Sequence, residues 1–188
     1  KEFKHAFLTS EEVNKLEQLN LMNRRHISLQ HTLEAFLFCC YTGLRYSDFT
    51  SLTEDNVVEI DKKTWIVFRS VKTDVEVKLP LSLLFEGKPL ILLKKHIRHL
   101  NKFFTLKSNS AVNKELIRIG KLAKIEKHFS FHSARHTNAT LLMEKGANIT
   151  TVQKLLGHRS ISTTQIYSQI LESTLVNDLK KCSQAKCK

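Results

Sequence analysis

The chain has 188 residues, and its 30 Lys+Arg against 18 Asp+Glu give a formal charge of +12, which suits one domain with a buried core facing a polyanion, nucleic acid being the default and a solubilising face the alternative. The longest wholly apolar run, about seven residues from Ala35 to Tyr41, falls far short of the roughly 20 that span a membrane, and the residues after Lys1 do not read as a signal peptide. Four cysteines, two adjacent in an apolar run and two in a polar tail, are too few for a disulfide framework or a zinc site and point to a reducing, cytoplasmic setting.

Taken in order, the elements predict a mainly helical chain with one β interruption. Thr9 and Glu12 form a capping-box signal for a helix reaching about Leu21. Leu29 to Tyr41 reads as a second helix, carrying Cys39 and Cys40 as small core residues, with Gly43 as its stop. From Asn56 the period changes to two, giving short strands at Val57–Ile60, Trp65–Phe68 and Val75–Leu79. Asp61 to Lys63 and Lys72 to Asp74 supply the turns, and Pro80 closes the sheet. Helices follow over Leu90–Phe104, over Asn109–Leu122, from Phe131 to a stop at Gly146, over Thr150–Leu156, and over Ser162–Gln169. A last one, Glu172–Lys181, carries an apolar stripe of Leu171, Leu175, Val176 and Leu179; residues 182–188, with Cys182 and Cys187, read as a frayed tail. The charge is uneven along this path: residues 1–94 hold thirteen basic and thirteen acidic side chains, so the whole excess lies in the second half.

The second half also carries the chemistry. Tyr167 lies nine residues after Gly157-His158 and thirty-two after Arg135 in His132-Ser133-Ala134-Arg135-His136. A free phenol has a pKa near 10, so its phenolate at pH 7 costs about 4 kcal/mol. Tyr167 would act as a nucleophile only beside cations and a proton acceptor. Arg135, with Arg45 in Thr42-Gly43-Leu44-Arg45, offers two guanidiniums that fork onto phosphate oxygens and stabilise a more negative transition state. Arg45 also has Asp48 one turn later, so an i,i+3 ion pair is the plainer reading for it. His132 would accept the phenol proton, and His158 would donate to a phosphate oxygen.

Thr-Gly-Leu-Arg, a sheet-borne Lys-Thr, His-x-x-Arg-His-Thr, Leu-Gly-His and a Tyr nine residues on, taken together, resemble the tyrosine recombinases of the phage-integrase family. The resemblance covers nearly the whole chain, with Asp48 where the family more often has Glu. It implies the tyrosine recombinase catalytic-domain fold, mainly α with a small three-stranded antiparallel sheet, over residues 1–181. It also implies that the chain begins after the family's separate N-terminal DNA-binding domain. Tyr167 would attack the scissile phosphate and leave a 3′-phosphotyrosyl link and a free 5′-hydroxyl. Arg45 and Arg135 would hold the phosphate, His132 and His158 would complete its hydrogen-bond shell, and Lys72 would protonate the leaving oxygen.

Such a link conserves the phosphodiester, so rejoining needs neither ATP nor metal, and no cofactor is expected. Double-stranded DNA recombination sites are the implied partner, with a homotetramer in the synaptic complex and a monomer without DNA. Lys107, Lys121, Lys154 and Arg159 are candidate phosphate contacts. Three alternatives remain: a type IB topoisomerase, a non-catalytic DNA-binding module, and a metal-dependent hydrolase using His132, His136 and His158, which would lack a base in the His-x-x-x-His segment.

Overall fold

The computed structural model describes residues 6–21 and 26–167. The carboxy-terminal stripe, Cys182 and Cys187 therefore lie outside the described residues. Among those residues no helix is long and apolar enough to cross a membrane.

α1 (Ser10–Glu17) starts at the predicted capping box, where Thr9 accepts from the Glu12 amide and Glu12 accepts from the Thr9 amide. It ends at Glu17 rather than Leu21, because Leu19 and Leu21 turn inward at a spacing a helix would not allow. α2 (Ile27–Thr42) is buried on nearly every side and forms the axis of the domain. Within it, burial pushes the Cys39 and Cys40 thiols well above their ordinary values, leaving them unreactive core groups. α3 (Tyr46–Ser51), too short to show a helical period, was not predicted.

β1 (Val57–Ile60), β2 (Lys63–Arg69) and β3 (Glu76–Pro80) form an antiparallel sheet in the order β1-β2-β3. Its register pairs Val57 with Ile66 and Phe68 with Val77, and places Ile66, Phe68, Val77 and Leu79 on the core side. Asp61 and Lys62 both take positive φ, the two-residue hairpin geometry that follows strand twist. Pro80 ends the outer strand, where its missing N–H costs no ladder bond.

The predicted helix over 90–104 is two: α4 (Lys88–Lys95) and α5 (Leu100–Phe104), joined by a 3-10 turn. His96 causes the break. Its ring stacks on Phe103 at 4.3 Å and its Nε2 lies 2.7 Å from the buried Glu34 carboxylate, a placement a straight helix does not provide. α6 (Asn109–Leu122), capped by Ser108, and α7 (Ser133–Glu144) close on α2 around a phenylalanine core of Phe36, Phe38, Phe49, Phe103, Phe129 and Phe131. α8 (Ile149–Leu156) and α9 (Ser162–Gln165) follow, and Tyr167 lies in the turn after α9.

Candidate active site

Two helix ends make the site. α2 and α8 both stop at a left-handed glycine, Gly43 (φ 74°) and Gly157 (φ 62°). At α8 the stop is a Schellman motif, with Gly157 N–H donating to Lys154 O and His158 N–H to Gln153 O. A Cβ on Gly43 would lie 2.6 Å from Leu156 Cδ2 and 2.8 Å from Asn138 Oδ1, so glycine is what lets the two ends approach. The carbonyls left over at these ends meet one guanidinium. Arg135, on the first turn of α7 and 3% exposed, donates from Nη1 to Gly43 O at 2.8 Å and from Nη2 to Leu156 O at 2.6 Å. The negative end of each helix dipole thus faces a fixed positive charge.

Each glycine also launches the next candidate residue. Arg45 leaves Gly43 in extended backbone and places Nη1 3.1 Å from Ser70 Oγ and 3.4 Å from Asp48 Oδ2. The ion-pair reading of Arg45 is therefore present, but Asp48 does more. Buried at 1% exposure, it accepts from the Val71 amide at 2.9 Å and from Ser70, which ties Arg45 to the hairpin turn that carries Lys72. Burial first, and the Arg45 charge second, pull the Arg135 pKa down to about 9, still charged at pH 7. Two guanidiniums that repel each other, with Asp48 compensating only in part, form a site that an anion would relieve.

His158 follows Gly157 and is buried, with Nδ1 2.8 Å from Thr164 Oγ1 on α9. Burial, then Arg135 and Arg45, lower its pKa to about 4, so the ring is neutral at pH 7; with the ring proton on Nε2, Thr164 donates to Nδ1 and Nε2 is left as a donor. Thr164 and Tyr167 are three apart, so one short segment fixes both His158 and the phenol.

Tyr167 is 4% exposed and packs with Ala139, Met143, Val152 and Leu156. Its hydroxyl lies 2.9 Å from Nδ1 of His136; with the ring proton on Nε2, the phenol donates to His136. This differs from the expected pairing with His132. His132 is the residue before α7, exposed, and its ring stands edge-on to His136 at 4.7 Å. One turn of helix separates the two, and it is the inward-facing His136 that meets Tyr167. A cleft of about 210 Å³ lined by Ala6, His128, Ser130, His132, Ser133 and His136 opens beside them. Burial raises the Tyr167 phenol above its ordinary value, and the Arg135 and Arg45 charges draw it back only in part.

Lys72 is exposed at the β2–β3 turn. Of the candidate DNA contacts, Lys121 and Lys154 are exposed on α6 and α8. The other two engage protein: Lys107 pairs with Glu115, and Arg159 Nε donates to Thr73 O at 2.7 Å. The residues missed by motif reading are Ser70, Thr73 and Thr164, and the hydroxyl-binding role of His136. The Thr-Thr before Tyr167 was the nearest available signal. Among the described residues no three His, Cys, Asp or Glu side chains converge as a metal-ligand set.

A helical domain with a small three-stranded sheet, whose buried arginine sits at the joint between two glycine-capped helices beside a tyrosine, has the tyrosine recombinase catalytic fold. It superposes on the crystal structure of XerA recombinase with TM-score 0.67 at 23% identity, covering 97% of this chain and 66% of the other. A lambda integrase (75–356) dimer bound to a core site gives TM-score 0.66 at 20% identity over 86% of this chain and 58% of the other. The model of the phage integrase family matches residues 6–173, and the chain belongs to that family. A tyrosine recombinase of Thermosipho africanus is 32% identical over 182 residues, 93% of this chain and 61% of that protein. Tyrosine recombinase XerA of Saccharolobus solfataricus is 36% identical over 152 residues, 78% of this chain and 49% of that protein. The chain thus spans about half to three-fifths of the length of these relatives.

Proposed function

We propose that this chain is the catalytic part of a site-specific DNA recombinase that cuts and rejoins strands through a 3′-phosphotyrosyl link on Tyr167. The observation that carries the reading is the convergence of Arg135, Arg45 and His158 on one buried, positively charged place, with Tyr167 held on the same short segment as the Thr164 that orients His158.

In the step proposed, Tyr167 Oη forms a bond to phosphorus as the bond to the 5′ oxygen breaks. The phenol proton passes to a histidine, and Lys72 supplies a proton to the departing 5′ oxygen. Arg45 and Arg135 carry the added charge on the non-bridging oxygens, and neutral His158 donates a further hydrogen bond. His136, already on the phenol, is the first acceptor, and His132, exposed one turn away with its ring against His136, is the second candidate. The buried phenol is neutral without DNA, so its proton passes to the histidine as the bond to phosphorus forms. Double-stranded DNA is the substrate, and assembly into a tetramer belongs to the same reading.

The test is capture of a covalent adduct. Incubated with nicked duplexes in excess chelator, the protein is expected to become linked to the 3′ end of the cut strand, and Tyr167→Phe to abolish the link. Cleavage that leaves no adduct, or that needs a divalent metal, would refute the proposal. Several protomers per rejoining event would separate recombination from topoisomerase-like relaxation, which one protomer performs.

A further inference from the structure

The turn that carries Lys72 is tethered on both sides. Its own backbone closes it, with Ser70 N–H donating to Val75 O and Asp74 N–H to Ser70 O. Upstream, the Val71 amide is held by Asp48. Downstream, Thr73 makes two bonds to the loop that carries His158: its hydroxyl donates to Gly157 O at 3.0 Å, and its own carbonyl accepts from Arg159 Nε at 2.7 Å. The two bonds run in opposite directions across the same gap, so together they set distance and orientation rather than distance alone. The surfaces beneath them match: a Cβ on Gly157 would lie 2.6 Å from Val77 Cγ2, so β3 rests directly on that glycine. Thr73 is half-buried between exposed neighbours Lys72 and Asp74, which shows which side of the turn is docked and which faces out.

From this geometry we infer that Thr73 and Arg159 are positioning residues for Lys72. They lock the hairpin to the His158 loop, so that the proton donor for the leaving oxygen and a hydrogen-bond donor to the phosphate are set by one rigid connection. A lysine is a point charge on four flexible carbons, and its aim depends on where its Cα is held. A misplacement of about 1 Å costs on the order of 100-fold in such sites. Arg159 therefore spends its inward N–H on protein and contributes to chemistry without needing a base or phosphate contact.

The inference rests on the proposed role of Lys72, and the experiment separates the two. The intact protein is given a duplex carrying a cleavage site recovered from a randomised pool. The scissile phosphate has either the ordinary bridging oxygen or a 5′-bridging sulfur, which leaves without a proton. Lys72→Ala should lose adduct formation on oxygen and recover it on sulfur; failure of that rescue overturns the role of Lys72 and this proposal with it. Given that rescue, Arg159→Ala and Thr73→Val should each lose about 10- to 100-fold on oxygen, stay within about threefold of wild type on sulfur, and bind the duplex with unchanged affinity. Thr73→Ser, which keeps the hydroxyl, should restore the oxygen rate. Equal losses on both substrates, weakened DNA binding that accounts for the loss, or no loss at all would each overturn the tether while leaving Lys72 as the acid.

Discussion

Gly157→Ala tests the joint on which the site is built. The φ of +62° is a left-handed conformation that costs an L-residue about 1–2 kcal/mol. The added methyl would sit 2.6 Å from Val77 Cγ2, on a side chain 2% exposed within a paired strand, so an overpacking cost of about 1–3 kcal/mol is added. The sum, about 2–5 kcal/mol, corresponds to a fall in Tm of about 5–15 °C for a chain of this length. Urea denaturation should show it as a lower midpoint with unchanged slope. Val77→Ala gives the contact room but leaves the backbone strained. The double variant should therefore be more stable than additivity predicts by about 1–2 kcal/mol, while the strain contribution persists. A Gly157→Ala protein within about 0.5 kcal/mol of wild type, or strict additivity with Val77→Ala, would refute the reasoning.

Three further outcomes follow from the same geometry. The His158 pKa is depressed on folding, so the unfolded chain takes up the proton first. Stability should be complete above about pH 6.5 and fall as pH drops from there to about 4, by roughly 3 kcal/mol at about 1.4 kcal/mol per tenfold change in proton affinity; His158→Gln should flatten that window in pH-dependent denaturation. Arg135→Lys keeps the charge but cannot fork between Gly43 O and Leu156 O. It should cost about 2–4 kcal/mol in chemical denaturation and more than 100-fold in adduct formation. Asp48→Ala strips the Val71 amide and Arg45 of a buried acceptor and should cost about 3 kcal/mol by the same assay.

Short-range signals were legible because their causes lie within a few residues. Thr9 and Glu12 marked a helix start through their own hydrogen bonds, and Gly43 and Gly146 marked stops because each takes a φ that other residues resist. The period-two pattern located three strands to within about two residues of their ends. α3 was illegible because six residues are too few to show a period, and the break at His96 because Glu34 and Phe103, which cause it, are distant in sequence or across the turn.

The site divides along the same line. Residue types and spacing offered Arg45, His132, Arg135, His158 and Tyr167 as candidates for phosphate chemistry, which needs guanidiniums, proton carriers and a nucleophile, and Lys72 joined them only through the family resemblance. Tertiary structure decided how the set is wired. It put His136 rather than His132 on the phenol, since the two are one turn apart and only packing determines which faces inward. It gave Arg135 the carbonyls of Gly43 and Leu156 at the ends of two helices, 92 and 21 positions away, and Arg159 the carbonyl of Thr73, 86 positions away. Composition and periodicity carry no record of such separations, because the free energy that closes them comes from burying the whole core at once.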